Sequence, residues 1–115
     1  MAVAVAMAVA VTVRDRGRCR SGEIYQSIEA LDQRGMALIE AQDPMSFAAY
    51  QREFGNTICG QHPIAVLLQM LHRDKEKHAL KFVRYAQSSR CYTCDDSSVS
   101  YASAVVCPST VVCRA

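Results

Sequence analysis

Two segments with strand character follow three helical segments, and this arrangement constrains the chain of 115 residues more than any other feature. Leu80 to Ala86 carries bulky side chains that favour β-structure, and Ser97 to Val106 is rich in Val, Ser and Tyr. Two strands are too few to close a layered sheet over three helices, so they need partners from elsewhere. The sequence therefore predicts an α/β chain that is incomplete as a domain.

The helical segments are predicted from apolar spacing and from their end signals. The first begins at Ile24 and follows helical spacing to Ile39, with a break expected near Gly35. The Asp43-Pro44 pair predicts the start of a second helix, which runs to Phe54 and stops at Gly55-Asn56. A third helix is expected to open at His62-Pro63, with its apolar face formed by Ile64, Leu67, Leu68 and Leu71.

Residues 1–20 have a composition unlike the rest of the chain. Met1 to Val13 is almost entirely Ala and Val, and four arginines follow it. A signal peptide requires a basic residue before its apolar run, and none is present here. The run is also shorter than the roughly 20 residues that span a bilayer. We therefore predict a disordered leader over residues 1–20, a domain over 21–106 and a divergent tail over 107–115.

The charge pattern excludes some classes of partner. The net charge is +2, and acidic and basic residues are interspersed from Glu23 onward. This balance favours neither a nucleic acid nor an anionic membrane as the main partner, and no membrane span is expected.

The segment Cys59-Gly60-Gln61-His62-Pro63 is the strongest chemical candidate. A thiol just before a helix N-terminus lies in the field of unpaired N–H groups, which favours a thiolate for metal binding or nucleophilic attack. The alternative is structural, with Cys59 as a small buried apolar residue and His62 as a helix cap. A metal needs three or four protein ligands, and this segment offers two.

The other cysteines form a second pattern. Cys91 and Cys94 are spaced as C-x-x-C, and Cys107 and Cys113 follow a dozen residues later. This spacing is compatible with a small four-cysteine zinc module or with a redox pair. Incidental reduced thiols are the interpretation we favour, because no secretion signal is evident.

Four blocks of this sequence resemble the Memo (mediator of cell motility) family, in the family's order and at compatible spacing. The most specific is Gly55 to Ile64, which reads G-N-T-I-C-G-Q-H-P-I. The others are Gly22 to Glu29, Tyr85 to Ser89 and Asp96 to Ala102. The resemblance covers about Ser21 to Ala104 and corresponds to the C-terminal third of a family member.

The resemblance implies a fold and a function. The fold would be the C-terminal fragment of a three-layer α/β/α architecture like that of class III extradiol dioxygenases. Intact relatives would bind copper or iron and act in receptor-linked cell motility signalling. Cys59 maps onto the family's metal-ligand cysteine, with His62 nearby, whereas the family's upstream histidines have no counterpart in this sequence.

These implications lead to an expected function with two alternatives. The chain is expected to be non-catalytic, to hold no metal stably by itself, and to be cytoplasmic or also nuclear. One alternative is a module that binds phosphotyrosine peptides or receptor-signalling proteins, or that self-associates. The other is the zinc module on Cys91, Cys94, Cys107 and Cys113.

Overall fold

The computed structural model of the chain describes residues 3–12, 24–55, 58–93 and 96–109. Among these residues, three α-helices lie between an N-terminal strand and a C-terminal pair of strands. The elements are β1 (Val3–Thr12), α1 (Ile24–Glu40), α2 (Pro44–Phe54), α3 (Gln61–Arg73), β2 (His78–Gln87) and β3 (Ser97–Pro108). The α/β class, the three helices and the two predicted strands are confirmed.

The sheet contains a third strand that the sequence prediction assigned to a disordered leader. The strand order is β1-β3-β2, and both pairings are antiparallel. β1 pairs along its whole length with β3, from Val3 opposite Val106 to Thr12 opposite Ser97. The prediction that residues 1–20 lie outside the fold is therefore wrong for Val3–Thr12, while residues 13–20 are outside the described residues. Valine at alternate positions was the strand signal in this segment.

The far end of the domain also differs from its predicted boundary. β3 continues through Cys107 to Pro108, two residues beyond the expected end of the domain. β3 therefore includes the first two residues of the predicted tail, and residues 110–115 lie outside the described part of the chain.

Helix α1 is continuous, so the predicted break near Gly35 is wrong. Gly35 is buried, and a Cβ placed on it would lie 2.9 Å from the Tyr50 hydroxyl oxygen. That hydroxyl donates to the carbonyl oxygen of Leu31 at 2.8 Å. Glycine at position 35 thus lets the ring of Tyr50, from α2, pack directly on the backbone of α1.

Helix α2 has the bounds that its sequence signals predicted. A carboxylate oxygen of Asp43 accepts hydrogen bonds from the backbone N–H groups of Met45 and Ser46. Gly55 has the left-handed conformation, with φ of 55°, and its N–H donates to the carbonyl of Gln51. The backbone groups at both ends of α2 form hydrogen bonds with residues nearby in sequence, which is why both ends could be predicted.

The core lies between the three helices and one face of the sheet. Small buried side chains on alternate positions of β3 let the helices approach closely, because alternate residues of a strand share a face. The core residues are Met36, Ile39, Phe47, Tyr50, Ile58, Ile64, Leu68, Leu80, Ala102, Ala104 and Val106. This arrangement supplies two layers, and the third layer of the expected architecture stays a prediction.

None of the helices in the described part of the chain is long and apolar enough to cross a membrane.

Candidate functional site

Cys59 lies in a tight turn between a buried bridge residue and the start of α3. Ile58 is only 2% exposed and belongs to the core, which anchors the segment. Its carbonyl accepts a hydrogen bond from the N–H of Gln61 at 3.1 Å, and this bond closes the turn. Cys59 itself is an exposed, free thiol. The structural alternative of a buried, apolar Cys59 is therefore wrong.

His62 does not cap the helix. The N-cap of α3 is Gly60, which has no side chain to do so, and the carbonyl of Gly60 accepts from Ile64 N–H at 3.0 Å. His62 lies one residue inside α3, on its exposed first turn. Cys59 and His62 thus present a thiol and an imidazole to solvent around one helix end.

The described residues do not complete a metal site around this pair. Within ranges 24–55, 58–93 and 96–109, His, Cys, Asp and Glu side chains form no group of three or more that could hold a metal ion. Copper and iron need more donors than one thiolate and one imidazole to be held in a defined geometry. The residues present therefore fit one part of such a site and not the whole.

The two described cysteines of the second pattern, Cys91 and Cys107, are in different chemical states. Cys91 is a free thiol with no exposed surface, and burial raises its pKa, with Asp96 adding to the effect. Cys107 is also buried, but its sulfur is in a disulfide. The expectation of reduced thiols throughout is wrong for Cys107, and a disulfide sulfur is not a thiolate ligand. The disulfide of Cys107 counts against a four-cysteine zinc module, and the buried, high-pKa thiol of Cys91 counts against a reactive C-x-x-C pair. The remaining cysteines of the pattern, Cys94 and Cys113, lie outside the described residues.

Two of the blocks that resemble the Memo family, Tyr85 to Ser89 and Asp96 to Ala102, meet at the end of the β2–β3 hairpin. The Ser98 hydroxyl, which is buried, donates to the carbonyl of Ser89 at 2.7 Å. The Ser88 hydroxyl accepts from Val99 N–H at 2.9 Å, while Ser88 N–H donates back to the carbonyl of Val99. These serines therefore have a structural role at the end of the hairpin.

The loop between those blocks is closed by Asp96. One of its carboxylate oxygens accepts from the N–H groups of Tyr92 and Thr93, and these two bonds hold the pKa of Asp96 below its usual value. Asp96 thus acts as a turn-forming residue.

A buried polar cluster joins α1 to the sheet, and sequence reasoning did not find it. Asp32 is 3% exposed, and one of its carboxylate oxygens accepts from the Tyr85 hydroxyl at 2.7 Å. The same hydroxyl lies 3.3 Å from the Ser100 hydroxyl and accepts from the Gln87 amide at 3.1 Å. The available signal was an acid on the apolar stripe of α1, at helical spacing between Ile28 and Met36.

The Tyr85 hydroxyl gives this cluster a measurable pH dependence. Burial, together with the hydrogen bond to Asp32, raises the pKa of Tyr85 from 10.0 to about 12. Because the folded protein favours the neutral phenol, this contribution to stability is complete below pH 10 and is lost as the pH rises to about 12. We expect the midpoint temperature of unfolding to fall across this interval in the wild type.

A Tyr85→Phe variant tests that assignment. Its fall in midpoint temperature over the same pH interval should be smaller than that of the wild type. Tyr101→Phe is the control, because Tyr101 is 52% exposed and lies on the opposite face of the sheet. Equal alkaline slopes in wild type and Tyr85→Phe would contradict the assignment.

Comparison with known proteins identifies the family. Residues 6–105 match the family model described as Memo-like protein. This chain belongs to the Memo-like protein family. The match includes most of β1 and all three helices, so the segment predicted to be a leader belongs largely to the region of family similarity.

Relatives in the Memo family show how much of a family member is present. Protein MEMO1 of Mus musculus and that of Homo sapiens are each 52% identical to this chain over 84 residues. That alignment covers 70% of this chain and 28% of the relatives. A MEMO1 family protein of Schizosaccharomyces pombe is 42% identical over 89 residues, covering 77% of this chain and 29% of the relative. The chain therefore spans less than a third of the relatives that it matches.

Proposed function

We propose that this Memo-like chain carries one donor of the family's redox-metal site, the thiol of Cys59, and does not catalyse a reaction by itself. The observation that carries the proposal is the exposed, free thiol at the start of α3, within the block that most resembles the family. The turn at Ile58 holds this thiol at a fixed place on the surface, where groups from outside the chain can reach it.

The donor count supports the non-catalytic part of the proposal. A catalytic metal centre uses about three protein ligands and leaves a position open for substrate or water. Cys59 and His62 supply at most two, and the described residues bring no third donor to them. Copper or iron would therefore be held only where further histidines are supplied, for example by a longer Memo-family protein.

Metal analysis of the purified chain tests this proposal. After separate incubation with copper and with iron, followed by exhaustive buffer exchange, we expect retained metal far below one equivalent. The reason is that a two-donor surface site releases its ion readily. Tight retention of a full equivalent that disappears in Cys59→Ala would contradict the proposal.

Thiol labelling provides the control for that experiment. In the native chain a thiol reagent should label Cys59 rapidly and leave Cys91 unlabelled until denaturant is added, because Cys59 is exposed and Cys91 is buried. A His62→Ala variant separates metal held at this helix end from metal bound through other groups.

Recognition of phosphotyrosine peptides or receptor-signalling proteins, and a role in cell motility, follow from the family resemblance alone. No specific cluster among the described residues favours them over the proposal above. They therefore stay predictions, as do the cytoplasmic and nuclear locations.

A further inference from the structure

Strand β2 contains one residue more than its pairing with β3 requires. Phe82 is opposite Ala104 and Arg84 is opposite Ser103, so the register shifts at Val83. Before the shift, Leu80 and Phe82 pack towards the helices. If β2 alternated strictly, without the bulge, Arg84 would face the helices in place of Tyr85. The bulge therefore decides which side chains α1 meets.

The side chains that the bulge turns inward hold α1 at two points. Tyr85 donates to Asp32, and the Gln87 amide donates to the Tyr85 hydroxyl and to the carbonyl of Tyr25 at 3.0 Å. Tyr25 lies in the first turn of α1, and Asp32 lies two turns later. Two alternate residues of β2 thus fix the position of α1 along the sheet.

The alternative register would place a different donor against Asp32. Without the bulge the Arg84 guanidinium would have to leave water to reach a carboxyl that is 3% exposed. Burying two charged groups carries a large desolvation penalty. Tyrosine brings a neutral donor on an apolar ring, so its burial costs less.

We infer that Asp32 selects the register of the second half of β2. The bulge at Val83 and the hydrogen bond from Tyr85 to Asp32 are two parts of one conformational device. The device turns Tyr85 and Gln87 inward, keeps Arg84 in solvent, and thereby sets where α1 sits on the sheet. It is independent of Cys59 and of any metal.

Amide hydrogen exchange, measured residue by residue by NMR, tests the inference. In Tyr85→Phe, which keeps the ring and removes the donor, the amides of Arg84 to Gln87 should exchange roughly 10-fold faster or more. The amides of Ala79 to Lys81, before the bulge, should keep their protection. The exposed Tyr101→Phe substitution is the matched control and should change neither group. Unchanged protection after Val83 in Tyr85→Phe would overturn the inference.

Deletion of Val83 provides the second arm. Without Val83, the order Phe82, Arg84, Tyr85 alternates by itself, so Tyr85 still faces Asp32 without a bulge. We expect cross-strand contacts between Tyr85 and Ala102 to persist in this variant, and their loss would overturn the inference. If Tyr85→Phe does not fold, Asp32→Ala decides the first arm, because it removes the acceptor of the Tyr85 hydroxyl. Faster exchange of the amides of Arg84 to Gln87 in Asp32→Ala supports the inference, and unchanged protection overturns it.

Discussion

Deletion of residues 3–12 is expected to abolish cooperative folding of the chain. β1 supplies the partner for one whole side of β3, from Val3 opposite Val106 to Thr12 opposite Ser97. Without it the sheet is reduced to one hairpin covered by three helices, and two-stranded sheets are marginally stable in water. Thermal unfolding followed by circular dichroism should lose its sigmoidal transition, or its midpoint should fall by at least ~10 °C.

A replacement of equal length is the control for that deletion. An alternating Thr-Val segment keeps the period of two and the β-branched side chains, so it should restore the transition. A Gly-Ser segment of the same length should not, because it lacks strand propensity. A deletion variant that unfolds like the wild type would show that residues 3–12 are dispensable, as the prediction of a disordered leader implied.

Substitution of Gly35 by alanine is expected to lower the free energy of unfolding by about 2 kcal/mol, because it overpacks a buried contact. The new Cβ would lie 2.9 Å from the Tyr50 hydroxyl oxygen and 3.0 Å from its ring carbon Cζ. Tyr50 is 2% exposed and bonded to Leu31, so its ring has little room to move. Helix propensity alone predicts the opposite sign, a gain of about 1 kcal/mol. Urea denaturation measures the difference.

Gly60→Ala is the matched control for Gly35→Ala. A Cβ at Gly60 would meet Ile64 Cδ1 at 3.8 Å, which is ordinary van der Waals contact. The change should therefore stay within ~1 kcal/mol, which covers the poorer N-cap propensity of alanine. Adding Tyr50→Phe to Gly35→Ala removes the closest atom and should recover part of the loss. Equal effects of alanine at positions 35 and 60 would contradict the packing explanation.

The features that the sequence predicted well are those whose causes are local. α2 has the predicted bounds because Asp43 and Gly55 bond to backbone groups within four residues of them. Cys59 was found because its motif is contiguous, and its position before a helix follows from Pro63 and the apolar spacing after it. Interactions of this kind join residues that are close in sequence, so they can be inferred without knowing the rest of the fold.

The features that the sequence did not predict depend on contacts between distant segments. Gly35 suggested a helix break, and its actual role depends on Tyr50 from another helix. The Asp32–Tyr85 hydrogen bond joins residues 53 positions apart. β1 was misassigned because an Ala/Val composition suggested low complexity, whereas its partner β3 lies at the other end of the sequence. Such pairings are set by burial and by the geometry of the whole sheet.

The central position of β3 in the sheet has a consequence for the order of events during synthesis. The paired positions of β1 and β3 are 85 apart in sequence at Thr12–Ser97 and 103 apart at Val3–Val106, whereas β2 and β3 form a hairpin. β1 is synthesised before β3 and can pair with it only after β3 has emerged from the ribosome. During that interval the first strand is an unpaired, apolar segment, and such segments bind chaperones or other nascent chains. Of the three described strands, β1 is therefore synthesised before the other two but gains its partner only after β3 is complete.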